Sequence, residues 1–205
     1  APTSVLLALR EWCNQTGVLL IFDEIQSGIG RTGNWFSFQH HNVIPDILTI
    51  AKGIASGLPL GACISTQQIM DQWTTGSHGG TYGGNPLSCV AGSATLQVIE
   101  PLLSHVSSLG NYALDRLSEA LIDHPNIGDI RGTGLMIGIE FILDESKTPA
   151  PDLVKQVIAQ CLDHALLIVS CGIHGNVIRL MPPLVISKTE LDSGLDIFIQ
   201  QCKQL

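Results

Sequence analysis

Ile47-Leu48-Thr49-Ile50-Ala51-Lys52-Gly53 is an apolar run that finishes on an ammonium group. A hydrophobic strand does not normally end that way. Partial burial disfavours the charged form of a lysine and leaves a neutral amine to attack a carbonyl, so Lys52 is a Schiff-base candidate. The alternative is a surface lysine snorkelling from a strand end. Upstream, Val18-Leu19-Leu20-Ile21-Phe22 has no polar interruption, which predicts a strand buried on both faces, as in a parallel sheet. It ends in Asp23-Glu24. Ligands of open α/β sheets collect outside the carboxyl ends of the strands, so Asp23 and Lys52 are expected to project into one crevice. An amine to hold an aldehyde and a carboxylate to keep a ring nitrogen protonated suit pyridoxal phosphate, whose pyridinium withdraws the electrons of a substrate carbanion. Taken alone, Asp23 reads better as a helix cap or a salt-bridge partner.

Gly28-Ile29-Gly30-Arg31-Thr32-Gly33 satisfies the G-x-G-x-x-G dinucleotide pattern and follows a predicted strand. The context then fails. Residues 34–41 lack the apolar spacing of a phosphate-facing helix, and Asp23-Glu24-Ile25-Gln26 intervenes before the glycines. The segment reads as a tight glycine-bearing loop.

The chain of 205 residues is 45% hydrophobic and 14% charged, enough to bury a large core and too apolar for disorder. A formal net charge of -8 argues against nucleic acid and anionic membranes as partners. No apolar stretch approaches the roughly 18 residues of a membrane span and no charged-then-apolar leader is seen, so cytoplasm is the expected compartment. Cys13, Cys63, Cys89, Cys161, Cys171 and Cys202 are widely spaced without a C-x-x-C pair and read as buried free thiols. The seven histidines show no H-x-x-x-H or H-E-x-x-H spacing, and no metal site is expected.

Val5, Leu6, Leu9, Trp12 and Cys13 predict a helical face ending at Gly17. Leu60 to Ser65 reads as a third strand, and Gln67 to Trp73 as a helix. Pro86 is placed to open a helix at its first turn, with Leu87, Val90, Ala91, Ala94 and Val98 on one face. Ala113, Leu114, Leu117, Ala120 and Leu121 mark a further helix that stops before Pro125. Leu135, Ile137, Ile139 and Phe141 alternate at period two, as in a strand with one buried face. Val154, Val157, Ile158, Cys161 and Leu162 return to helical spacing, and two strands follow at Leu166 to Val169 and Val177 to Leu180. A last helix opens on the capping-box pattern Ser187-Lys188-Thr189-Glu190 and carries Leu191, Leu195, Phe198 and Cys202 on one face. This mixture predicts a small α+β domain after about residue 105.

Ordered motifs run through most of the chain: residues 20–28, Gly30-Arg31-Thr32-Gly33, Pro45-Asp46-Ile47, Ala51-Lys52-Gly53, Gly57-Leu58-Pro59-Leu60-Gly61, residues 78–86 and residues 176–184. Together they resemble the class III (ornithine and 4-aminobutyrate type) aminotransferases of PLP fold type I. The resemblance implies an α/β fold. Residues 1–105 would be the C-terminal part of the PLP-binding large domain, a mostly parallel sheet with helices on both faces, and residues 106–205 the small α+β C-terminal domain.

The resemblance also implies roles. Lys52 looks like the lysine that anchors pyridoxal phosphate as a Schiff base and later serves as general base. Asp23 resembles the carboxylate paired with the ring nitrogen. Gln26 is similar to the amide that bonds the cofactor's phenolic oxygen, with a solvated loop glutamine as the alternative. Thr81, in a glycine-rich stretch suited to cradling a phosphate, resembles the threonine that reaches the cofactor of the neighbouring subunit, which implies a homodimer. Arg179, ending an apolar strand before Pro182-Pro183, resembles the substrate-carboxylate arginine, with a core salt bridge as the alternative. The matched region corresponds to the C-terminal half of a family member, so the phosphate loop, the ring-stacking aromatic and several strands are missing and sheet edges are expected to be unpaired.

The implied activity is a PLP-dependent aminotransferase that moves an amino group from an amino acid or omega-amino acid to a 2-oxo acid through a pyridoxamine form. A 4-aminobutyrate-like donor is favoured by the residue 57–61 and residue 78 motifs. A racemase or aminomutase of the same fold is the closest competitor. A catalytically incomplete, dimer-forming fragment is the reading from a different class.

Overall fold

Gly17 takes the left-handed conformation, with φ 72, at the end of helix α1 (Thr3–Thr16), and this turns the chain into the first strand. The computed structural model describes residues 1–121 and 123–205. It divides into two compact units, Ala1–Leu103 and Ser104–Leu205.

The first unit holds a three-stranded sheet in the order β1 (Ile21–Asp23), β2 (Ile47–Ile50), β3 (Ala62–Ser65). Strands β1 and β2 are parallel with Asp23 opposite Thr49, whereas β3 returns antiparallel with Ala62 opposite Ile50. The expected strand at Val18–Phe22 is corrected on two counts. It is only three residues long, and it is not buried on both faces: Val18, Leu19 and Ile21 are exposed, Ile21 by 56%. The cause is position, since β1 is the sheet's edge and has no strand on its outer side among the described residues. Leu20 alone is deeply buried, in a small cluster with Cys13 and Val43 against which Leu6 and Phe22 pack. Val5, Leu9 and Trp12 of α1 are exposed.

Helix α2 (Gln67–Met70) is a single turn that stops short of Trp73. Helix α3 (Pro86–Ile99) forms where Pro86 opens it, with Asn85 Oδ1 accepting from the N–H groups of Leu87 and Ser88. Its faces are reversed relative to the sequence pattern. Leu87, Val90 and Val98 are exposed, Leu87 by 75%, while Ser88, Gly92, Thr95 and Ile99 are buried. The reason is close packing: a Cβ on Gly92 would stand 2.9 Å from Leu60 Cδ2 and 3.5 Å from the Ile54 carbonyl oxygen, so only small side chains fit that contact.

The helical run Pro86–Leu121 is long and apolar enough to cross a bilayer by length and composition only, a test that the core helix of a soluble protein also passes. It is interrupted by a 3-10 turn at Glu100–Leu102 containing Pro101, and its second part, α4 (Leu103–Leu121), is amphipathic, with Val106, Ala113, Leu117 and Leu121 buried.

The second unit is an antiparallel sheet in the order β4 (Ile127–Thr133), β5 (Met136–Phe141), β7 (Val177–Leu180), β6 (Val169–Cys171). Ile137, Ile139 and Phe141 alternate inward from β5, as the period-two pattern predicts. They join one core with α4, α5 (Pro151–Asp163) and α6 (Lys188–Cys202), which supply Leu117, Val157 and Phe198 among others. Ser187 Oγ accepts from the Glu190 N–H while the Glu190 carboxylate accepts from the Ser187 N–H, so the capping box forms. Strand β6 begins at Val169 rather than Leu166, and Leu162 of α5 is exposed. The thiols divide: Cys13, Cys161 and Cys202 are buried, Cys171 is half-buried, and Cys63 and Cys89 are exposed. Burial pushes the Cys161 thiol up to about 11 and raises Cys202 as well.

Candidate active site

The backbone brings Asp23 and Lys52 to the same end of two neighbouring parallel strands. Asp23 is the last residue of β1, and Lys52 lies two residues beyond the end of β2. The Glu24 N–H donates to the Thr49 carbonyl oxygen at 2.9 Å and ties the two exits together. Asp23 is exposed, and its Oδ1 accepts from the Ile25 N–H at 2.9 Å, which fixes the side chain in a local turn. Lys52 is exposed rather than partly buried. Its φ of 50 puts a side-chain-bearing residue in the left-handed region, and the chain swings at once into a 3-10 turn, Lys52–Ala55.

Asp23 lines a hollow of about 230 Å³ with Phe22, Glu24, Ser27 and Phe38, and Lys52 is not among its walls. The two strand ends adjoin through the Glu24–Thr49 bond.

After Asp23 the chain makes successive turns through Gly33, with Ile29, Gly30 and Gly33 at positive φ, and the glycines are followed by a short 3-10 turn, Ser37–His40, rather than an α-helix. The dinucleotide motif is therefore a loop, as its context predicts. Glu24 organises it. Its side chain is only 3% exposed, accepting from Ser27 Oγ at 2.5 Å and from the Phe38 N–H at 2.9 Å. Gly28 is required beneath it, since a Cβ there would lie 2.7 Å from the Glu24 carbonyl oxygen. Gln26 sits half-buried inside this clamped loop. Sequence reasoning passed over Glu24 because a carboxylate beside Asp23 looks like a second surface charge. The available signal was its adjacency to a strand end followed by a Ser at the third position.

Thr81 is exposed in the turn that precedes Asn85 and α3, where the Gly83 N–H donates to the Gly80 carbonyl oxygen at 3.1 Å and Gly84 has φ 68. Arg179 belongs to the second unit. It is the penultimate residue of β7, half-buried, and lines an apolar hollow of about 470 Å³ with Leu166, Ile168, Met181, Pro182 and Leu191. Its Nε is buried with no hydrogen-bond partner among the described residues. Arg179 makes no salt bridge among the described residues. A planar guanidinium without an ion-pair partner is suited in kind to a carboxylate.

The residues of these two units fit pyridoxal phosphate and an acidic substrate in kind. An accessible amine and an accessible carboxylate leave adjoining parallel strands, an amide stands in a clamped loop three residues on, a hydroxyl stands among turn glycines, and a guanidinium keeps an unused donor.

A family model described as Aminotransferase class-III matches residues 1–202. The 4-aminobutyrate aminotransferase GabT of Escherichia coli is 42% identical over 197 residues, which are 95% of this chain and 46% of that protein. A leucine/methionine racemase of Thermococcus litoralis is 40% identical over 198 residues, 95% of this chain and 44% of its own length. Among solved structures, an aminotransferase from Bacillus anthracis superposes with a TM-score of 0.93 at 35% identity, covering 100% of this chain and 49% of the other. The chain spans about half the length of the curated relatives it matches.

Proposed function

The chain belongs to the class III aminotransferases, and from that premise we propose that the protein of which it forms part transfers an amino group from an omega-amino acid, 4-aminobutyrate-like or ornithine-like, to a 2-oxo acid. The observation that carries the proposal is the paired exit of β1 and β2, which presents a carboxylate and an amine from adjoining parallel strands. Residues 1–103 then supply part of a PLP-binding large domain of fold type I, and residues 104–205 the small C-terminal domain.

Pyridoxal phosphate, when bound, supplies an aldehyde that condenses with amines and a ring that accepts the electron pair of a substrate carbanion. Lys52 Nζ is the anchoring amine and, once free, the base that moves a proton at the substrate carbon. Asp23 holds a proton on the ring nitrogen by charge. Gln26 donates its amide N–H to the phenolic oxygen. Thr81 Oγ1 donates to a phosphate, and in a homodimer that phosphate belongs to the neighbouring subunit. Arg179 takes the carboxylate of the substrate through its guanidinium. The six unpaired cysteines suit a reducing compartment, which supports the cytoplasm.

A second reading is favoured by the Thermococcus relative: the same amine and carboxylate could serve a racemase or aminomutase, in which proton movement at Lys52 is not followed by amine transfer. Adding 4-aminobutyrate or ornithine alone to the full-length protein, with bound cofactor followed by absorbance, decides between them. Stoichiometric conversion of the cofactor to its amine form supports aminotransfer. Retention of the aldehyde form while substrate stereochemistry or amine position changes overturns it. Borohydride reduction without substrate should mark Lys52 by mass mapping, and an unmarked Lys52 removes both readings in favour of a catalytically incomplete fragment.

A further inference from the structure

Two hydroxyls far apart in sequence meet at the end of the Lys52 turn. Thr95 Oγ1 donates its one proton to the Ala91 carbonyl oxygen at 2.8 Å, so in its 2.9 Å contact with Ser56 Oγ it accepts and Ser56 donates. Ser56 has φ 48 and Lys52 has φ 50, so left-handed, non-glycine residues bracket the 3-10 turn at both ends. The turn's own bonds are long, at 3.3 Å from the Ile54 N–H to Ala51 and 3.4 Å from the Ser56 N–H to Gly53. Something outside the turn must therefore keep this backbone in place. Helix α3 does so with its small buried side, where Gly92 admits Leu60 and the Ile54 carbonyl and Thr95 reaches Ser56.

We propose that Ser56 and Thr95 are positioning residues for Lys52: their hydrogen bond holds the left-handed turn shut and so fixes the direction in which the amine is presented. The inference rests on the reading of Lys52 as the cofactor-anchoring amine and adds two residues to that role. Neither is placed in contact with cofactor or substrate. It also accounts for the reversed faces of α3, because the apolar residues that helical periodicity would bury cannot replace a small hydroxyl at this contact.

The test compares the full-length wild-type protein with Thr95→Val, Thr95→Ser and Ser56→Ala. In the cofactor-free protein, amide hydrogen exchange at residues 52–58 should quicken on the order of tenfold in Thr95→Val, the scale of one lost hydrogen bond. With pyridoxal phosphate added, the rate of the borohydride-trapped adduct at Lys52 should fall by a similar factor, while Thr95→Ser restores both. Wild-type exchange and adduct rates in Thr95→Val, or failure of the serine to rescue, overturn the inference. If Thr95→Val does not fold, Ser56→Ala removes the donor at an exposed residue and is read the same way. A wild-type protein that gives no adduct at Lys52 brings down the cofactor reading and this inference together. A normal wild-type adduct with an unaffected variant brings down this inference alone.

Discussion

The Glu24 N–H donates to the Thr49 carbonyl oxygen at 2.9 Å, one step beyond the last paired residue of β1. The same residue sends its buried carboxylate away from the sheet to Ser27 and the Phe38 N–H. Glu24 thus couples the strand ends that carry Asp23 and Lys52 to the loop that carries Gln26.

Glu24→Ala leaves the Phe38 N–H and Ser27 without their acceptor, and it should cost about 1–3 kcal/mol of stability, the penalty of unsatisfied buried groups. Thermal unfolding measures it. An unchanged midpoint would show that water replaces the carboxylate at no cost.

Asp23→Asn keeps an oxygen able to accept from the Ile25 N–H, so the turn survives and only the charge is lost. The donor half-reaction of the full-length protein should slow on the order of 10²–10⁴-fold, with unfolding unchanged within about 0.5 kcal/mol. Single-turnover absorbance checks it, and a rate within a few-fold of wild type would remove Asp23 from the ring-nitrogen role.

Two helical glycines should respond in opposite directions. A Cβ on Gly110 of α4 would fall on the backbone of Gly134, so Gly110→Ala should destabilise by about 1–3 kcal/mol through overpacking. A Cβ on Gly194 of α6 would lie 3.6 Å from Leu166 Cδ1, an ordinary contact, so Gly194→Ala should stabilise by about 0.5–1 kcal/mol. Denaturant midpoints of both variants give the signs directly.

The surface cluster of the second unit predicts a pH dependence. Lys188 Nζ, Tyr112 Oη and Arg116 all donate to Asp192, and they hold its carboxyl at about 2, below its ordinary value of 3.8. A depressed carboxylate contributes stability that is fully present above 3.8 and is lost as pH falls through about 2. Unfolding followed from pH 5 downward should show this loss, and Asp192→Asn should flatten that limb. An identical acid limb in the variant would mean that other carboxylates dominate.

What could be read in advance followed how burial was arranged. Strand β5 has one face on a core and the other on solvent, so its alternation was visible, and Ser187 with Glu190 announced α6 through local bonds. Strand β4 was missed because Ile127-Gly128-Asp129-Ile130-Arg131-Gly132-Thr133 carries two glycines and a charge pair, and its place comes from pairing with β5. On α3 the hydrophobic period pointed to the wrong face, because a tight backbone approach selects size over polarity. At the candidate site, Lys52 and Asp23 stood out as charged ends of apolar runs. Ser56 and Thr95 left no trace, since two hydroxyls 39 positions apart become partners only through the tertiary fold.

Within Ser104–Leu205, three helices cover the inner sheet face, and the cavity beside Arg179 is walled wholly by that segment's own residues. A polypeptide starting at Ser104 thus carries the core residues of this unit and is expected to fold as a module. Such a module would let anion recognition by the guanidinium be titrated by calorimetry in isolation from any amine chemistry.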